Sequence, residues 1–194
     1  DSDANNVYNV YGQRYDAAGG MVGDEFRVNT TKTGTQEHPA VVAQGDGFVV
    51  TWKDTDGSND SQGGSSWDVF AKTFTTTDNG NPVDTPIAKV DEFRVNSFKT
   101  EYQYEPDVAS LADGGFVITW RSERQDGDSN NHYNVYGQRF NADGTAHADG
   151  EFLINTYTSG QQYDPSVTGL AGGGFIVTWS DDGSHDGGAG TDVY

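Results

Sequence analysis

The chain has 194 residues, 30 acidic against 11 basic side chains, no Cys and a formal net charge of −19. That charge argues against a nucleic-acid partner, whose phosphates need Lys and Arg. The missing Cys excludes disulfides and thiolate chemistry, and no apolar run approaches the length of a membrane span. Leu, Ile, Val and Phe make up about 18% of the residues, a fraction typical of disordered chains, but 12% aromatics argue for a folded one.

The first predicted strand is Val10–Tyr15, where apolar or aromatic residues alternate with polar ones. Asp16-Ala-Ala-Gly-Gly20 follows as a turn, then Glu25–Asn29 as a second strand. A polar link, Thr31–His38, runs to Pro39 and a third strand, Ala40–Ala43. Gln44-Gly-Asp-Gly47 supplies hairpin chemistry before Phe48–Trp52, a near-continuous apolar run expected to be buried on both faces. The acidic loop sequence Lys53-Asp-Thr-Asp-Gly-Ser-Asn-Asp60 comes next.

The series then recurs. Asn9-Val-Tyr-Gly-Gln-Arg-Tyr15 returns as Asp68-Val-Phe-Ala-Lys-Thr-Phe74 and Asn134-Val-Tyr-Gly-Gln-Arg-Phe140, and Asp192-Val-Tyr194 opens a fourth copy. Glu25-Phe-Arg-Val-Asn29 returns at Glu92–Asn96 and Glu151–Asn155, and Gly47-Phe-Val-Val-Thr-Trp52 at Gly115–Trp120 and Gly174–Trp179. The chain is thus one repeat domain, with repeat 1 at about 7–60, repeat 2 at about 67–130, repeat 3 at about 133–190 and a stub at 191–194. Each repeat predicts four antiparallel strands in two hairpins and no helix. The expected class is all-β, with three four-stranded repeats forming β-propeller-like blades. A linear β-solenoid or filament array is the alternative.

Carboxylates two residues apart, with Asn and Gly between them, suit Ca²⁺, which takes six to eight oxygen ligands. The predicted calcium ligands are Asp54, Asp56, Asn59 and Asp60 in the first loop, Asp126 and Asp128 in the second, and Asp181, Asp182 and Asp186 in the third. The same residues are also ordinary turn formers, and no loop carries the twelve-residue EF-hand pattern. The four His occupy unrelated repeat positions, and no nucleophile elbow or P-loop occurs. The chain is therefore expected not to be an enzyme. Glu37, Glu105 and Asp164, at or near the residue before Pro39, Pro106 and Pro165, read as strand-entry residues. Trp52, Trp120 and Trp179 share one repeat position and are assigned to the core. Trp67 and Tyr133, each just before a strand, are the predicted ligand-stacking residues.

The combination of Asn-Val-Tyr-Gly-Gln-Arg-Phe, Glu-Phe-Leu-Ile-Asn-Thr, Asp-Pro-Ser-Val and Gly-Gly-Phe-Ile-Val-Thr-Trp resembles the tandem repeats of large bacterial secreted and surface proteins, grouped with haemolysin-type calcium-binding and adhesin proteins. The resemblance covers all three repeats and the stub, but the glycine-rich nonapeptide of the haemolysin β-roll is missing. It implies a secreted or cell-surface module with a structural or adhesive role, ordered by calcium. The expected partners are neighbouring repeats or further copies of the chain, with a glycan as a further partner, and neither nucleic acid nor membrane insertion. A carbohydrate-binding propeller is the alternative function, and a polysaccharide-acting enzyme the distant one.

Overall fold

The computed structural model describes residues 8–55, 67–127, 132–182 and 192–193. They form β-strands joined by turns and irregular links, as the alternating aromatic and β-branched segments predict. Strands β1 (Tyr11–Tyr15) and β2 (Met21–Arg27) make a two-stranded sheet. The next four, β3 (Gln36–Gln44), β4 (Gly47–Asp54), β5 (Asp68–Asp78) and β6 (Asn81–Arg94), form a sheet in chain order. A second such sheet holds β7 (Gln103–Ser110), β8 (Phe116–Glu123), β9 (Tyr133–Phe140) and β10 (Ala146–Leu153). A third holds β11 (Gln162–Gly169), β12 (Phe175–Asp181) and the short β13 (Asp192–Val193). All pairings are antiparallel.

The chain is therefore all-β, built from propeller-like four-stranded blades. The leading strands β3, β7 and β11 lie side by side, and the blades pack face to face. Blade and sequence repeat are out of phase by two strands. Each four-stranded sheet takes its first two strands from the end of one repeat and its last two from the start of the next.

The core repeats with the sequence. Val49, Val69, Ala71 and Val95 of the first four-stranded sheet meet Val108, Phe116, Ile118, Trp120, Tyr136 and Phe140 of the second. The equivalent Phe48, Val50, Trp52, Phe70 and Phe74 meet Val10, Phe26 and Val28 of the two-stranded sheet. Trp52 and Trp120 are fully buried, as the sequence predicts, and Trp179 is half-buried.

Two glycines explain the linked motifs. A Cβ on Gly12 would stand 2.8 Å from the Phe26 ring, and one on Gly137 3.0 Å from the Phe152 ring. The bare backbone of one motif thus receives the aromatic of the other.

A buried polar chain stitches each sheet to the next. Asn96 donates through Nδ2 to Asp68 Oδ1 (2.7 Å) and Gln103 Oε1 (3.1 Å), and its Oδ1 accepts from the Val69 amide (2.8 Å). Asn29 does the same with Asn9, Gln36 and Val10, and Asn155 with Asn134, Gln162 and Val135. Each Asn follows the last strand of one sheet and each Gln opens the next, so the network satisfies polar groups where the links dive inward. The Asn of the Glu-Phe-Arg-Val-Asn motif is thus a structural residue.

Candidate functional site

At the rim where β4 and β8 end and β5, β7, β9 and β11 begin, aromatic and cationic side chains interleave. Local sequence sets this up in two ways. Each fully buried Trp is followed by a cation, Lys53 or Arg121, whose side chain therefore emerges at the strand end. Each leading strand also carries a β-bulge at its Pro, between Glu37 and Ala40, Tyr104 and Asp107, and Tyr163 and Ser166. Proline has no N–H for the ladder, so pairing breaks there. The residue before it turns left-handed, with φ of 54° at His38, 54° at Glu105 and 49° at Asp164. A bulge re-aims the neighbouring side chains.

The result is a row of rings. Trp67 and Tyr104 have centroids 6.3 Å apart, Tyr104 and Tyr133 6.1 Å, and Tyr133 and Tyr163 6.4 Å, with Tyr102 stacked on Tyr104 at 5.6 Å. All five rings are half-buried. Lys53 Nζ lies 4.0 Å from the Trp67 ring centroid and 5.2 Å from that of Tyr104. The Arg121 guanidinium carbon lies 5.0, 4.6 and 5.1 Å from the centroids of Tyr104, Tyr133 and Tyr163. Both cations are neutralised nearby, Lys53 by Glu37 at 3.2 Å and Arg121 by Glu105 at 2.9 Å. Cation–π attraction and these ion pairs hold the rings in place.

Burial dominates the titration of the cluster. The Tyr104 hydroxyl is pushed up to about 12 by burial, reinforced by Tyr133, Tyr102 and Glu123 and opposed by Arg121. Burial also raises Tyr133 and Tyr163. Glu123, hydrogen-bonded to Tyr133, is raised first by burial and then by the nearby Glu101 carboxylate. The tyrosines are neutral hydroxyls at ordinary pH, fit to donate or accept a hydrogen bond.

The two predicted stacking residues, Trp67 and Tyr133, thus lie in one row, bridged by Tyr104. Tyr102, Tyr104, Tyr163, Lys53 and Arg121 escaped the sequence reading. Tyr-Glu-Pro and Tyr-Asp-Pro at equivalent positions, and a cation directly after the buried Trp, were the available signals.

Four of the nine predicted calcium ligands lie among the described residues. Asp54 is buried and accepts from Gln36 Nε2 at 3.1 Å; Asp181 is buried and accepts from Gln162 Nε2 at 3.1 Å. Asp126 is exposed and accepts from Asn134 Nδ2 at 3.0 Å. The Asp182 amide donates to the Gln161 carbonyl at 3.1 Å. Asp56, Asn59, Asp60, Asp128 and Asp186 lie outside the described residues. Among the described residues no cluster of three or more His, Asp or Glu has a geometry fit to hold a metal.

No family model matches the chain, and no curated protein does. Solved structures do. An endo-arabinase from Bacteroides thetaiotaomicron VPI-5482 superposes with a TM-score of 0.46 at 11% identity, over 93% of this chain and 63% of its own. An alpha-L-arabinanase from Penicillium chrysogenum, complexed with arabinobiose, superposes with a TM-score of 0.45 at 14% identity, over 88% of this chain and 48% of its own. The chain thus spans less than two thirds of the length of either. The expectation that the chain is not an enzyme is corrected here. Both matched structures are enzymes, and the lack of a familiar catalytic motif is not in itself a reason to exclude catalysis. At 11–14% identity and these TM-scores, the likeness assigns neither activity nor substrate to this chain.

Proposed function

We propose that the chain is a carbohydrate-binding module whose site is the ring row Trp67–Tyr104–Tyr133–Tyr163. The observation that carries this reading is the row itself, four half-buried rings held in place by Lys53 and Arg121. Aromatic faces stack on the apolar faces of sugar rings, and neighbouring hydroxyls and carboxylates bond their polar edges. A neutral glycan fits better than an acidic one. The net charge of −19 repels polyanions, and both site cations already have carboxylate partners. The reading keeps the secreted or cell-surface setting and the adhesive role that the repeats suggest. It also keeps calcium at the three acidic loops that follow the Trp positions; a melting temperature unmoved by chelation would remove the ion from the proposal.

The test is a panel of neutral polysaccharides, arabinan included, scored for binding and in parallel for release of reducing ends. Trp67→Ala and Tyr133→Ala are each expected to weaken binding about tenfold, which is about 1.4 kcal/mol, with the circular dichroism spectrum unchanged. Binding that survives both substitutions, or no binding across the panel, overturns the site. Release of reducing ends would extend the reading from binding to catalysis.

A further inference from the structure

The three repeats share one backbone at the link before each leading strand. In each, the Asn of the polar chain is followed seven residues later by its Gln partner: Asn29 and Gln36, Asn96 and Gln103, Asn155 and Gln162. The amides of Thr55, Glu123 and Asp182 donate to the carbonyls of Thr35, Tyr102 and Gln161 at 3.1, 2.9 and 3.1 Å. The residue before each of those carbonyls is left-handed, Gly34 with φ of 74°, Glu101 with 64° and Gly160 with 88°. Glycine adopts that conformation freely, whereas a side chain there is strained. The second repeat thus carries a glutamate at a turn that takes glycine in the first and third.

Other departures of the second repeat meet Glu101 in space. Tyr102 stands where the other repeats have Thr35 and Gln161, and it stacks on Tyr104 of the ring row. Glu123 stands where they have Thr55 and Asp182; it is 7% exposed and hydrogen-bonds Tyr133 of the row. Its Oε2 is buried with no hydrogen-bond partner among the described residues, and a buried polar atom of that kind calls for an explanation. Arg124, next in the chain and also left-handed with φ of 55°, pairs with Glu101 at 3.1 Å. The side chains of this pair are 37% and 38% exposed, within reach of a molecule lying on the rings. An ion pair so exposed contributes little stability, so it does not offset the strain at Glu101. Strain of this kind is kept where a site uses it.

We propose, resting on the reading of the row as a glycan site, that Glu101 and Arg124 bind two neighbouring hydroxyls of the sugar unit held at Tyr102 and Tyr104. A hydroxyl both donates and accepts. The carboxylate accepts from such a pair and the guanidinium donates to it, and bonds to charged groups are the stronger kind. The two charges cancel, in keeping with a neutral glycan. Glu123 is a positioning residue, holding Tyr133 through its carboxyl and Tyr102 through its amide. The rings then supply affinity without choosing among sugars, and the choice lies with the pair that only the second repeat carries.

The test is calorimetric titration of the wild type, Glu101→Gly and Trp67→Ala with arabinan, xylan and glucomannan, each native and O-methylated, beside the melting temperature of each protein. Glu101→Gly restores the residue of the other two repeats, so it is expected to melt at or above the wild-type temperature. It is nevertheless expected to bind the native glycan about tenfold more weakly. Methylation removes the hydroxyl protons, so wild type and Glu101→Gly are expected to bind the O-methylated glycan equally. Glu101→Gly that binds native glycan like the wild type, that keeps its deficit on methylated glycan, or that melts lower overturns the proposal. The row itself stands in those cases if Trp67→Ala still weakens binding. A wild type that binds none of the glycans, or a Trp67→Ala without effect, overturns the row and the pair with it.

Discussion

Strands β8 and β12 have nearly the same sequence, Phe116-Val-Ile-Thr-Trp120 and Phe175-Ile-Val-Thr-Trp179, and different environments. Every one of those residues in β8 is buried; in β12, Ile176 and Thr178 are exposed and Phe175, Val177 and Trp179 are half-buried. The strand type is set by local β-propensity, but its burial is set by what stands on either side. A repeat protein draws its core from contacts between neighbours, so identical strands differ in stability by their place in the series.

Two pairs of substitutions test that contrast, and the largest effect comes from the shared Trp. Trp120→Ala empties a fully buried site and is expected to cost about 3–5 kcal/mol. Trp179→Ala, measured at a concentration where the chain is monomeric, is expected to cost less than half as much, read from urea midpoints. Equal losses would break the comparison. The polar stitches should behave otherwise. Asn96→Ala and Asn155→Ala each strand a buried amide and a buried Gln, and each is expected to cost about 2–3 kcal/mol. Matched losses there, beside diverging Trp losses, would mean that hydrogen bonding holds the sheets in place independently of how well each is covered.

The smallest effect lies at the rim. Glu123 has its carboxyl raised by burial and by Glu101. The folded chain therefore holds that proton more tightly than the unfolded one. The stability gained is present below the ordinary carboxylate range and is lost as pH rises through the raised value. Glu123→Gln is expected to lift the melting temperature by about 2 °C at pH 7 and to have no such benefit at pH 4. A gain that is the same at both pH values would place the effect elsewhere than the carboxyl charge.

The strands and the buried tryptophans were legible because alternation and recurrence both mark them. The Gly before each Phe run was legible as a turn residue, but not the second reason for two of them. A Cβ on Gly47 would overlap the Phe74 carbonyl oxygen, and one on Gly115 that of Phe140, contacts made only once β4 pairs with β5 and β8 with β9. The acidic loops were read through composition, which did not show that Asp54 and Asp181 at their edges are buried and accept from Gln36 and Gln162. No local pattern distinguishes an Asp that faces an amide from one that faces an ion. Trp67 and Tyr133 stood out as aromatics before strands, but their bridge, Tyr104, comes from another strand. The bulge at Pro106 that re-aims its neighbours is a property of the paired sheet.

The two-strand offset between repeat and blade separates the unit of inheritance from the unit of folding. Duplicating one stretch of about 60 residues inserts four strands, of which two finish an existing blade and two begin the next. The number of whole blades rises by one while the offset between repeat and blade is kept. Such a chain can lengthen or shorten by in-frame recombination with every interior blade left whole, although each repeat is spliced across a sheet rather than between sheets.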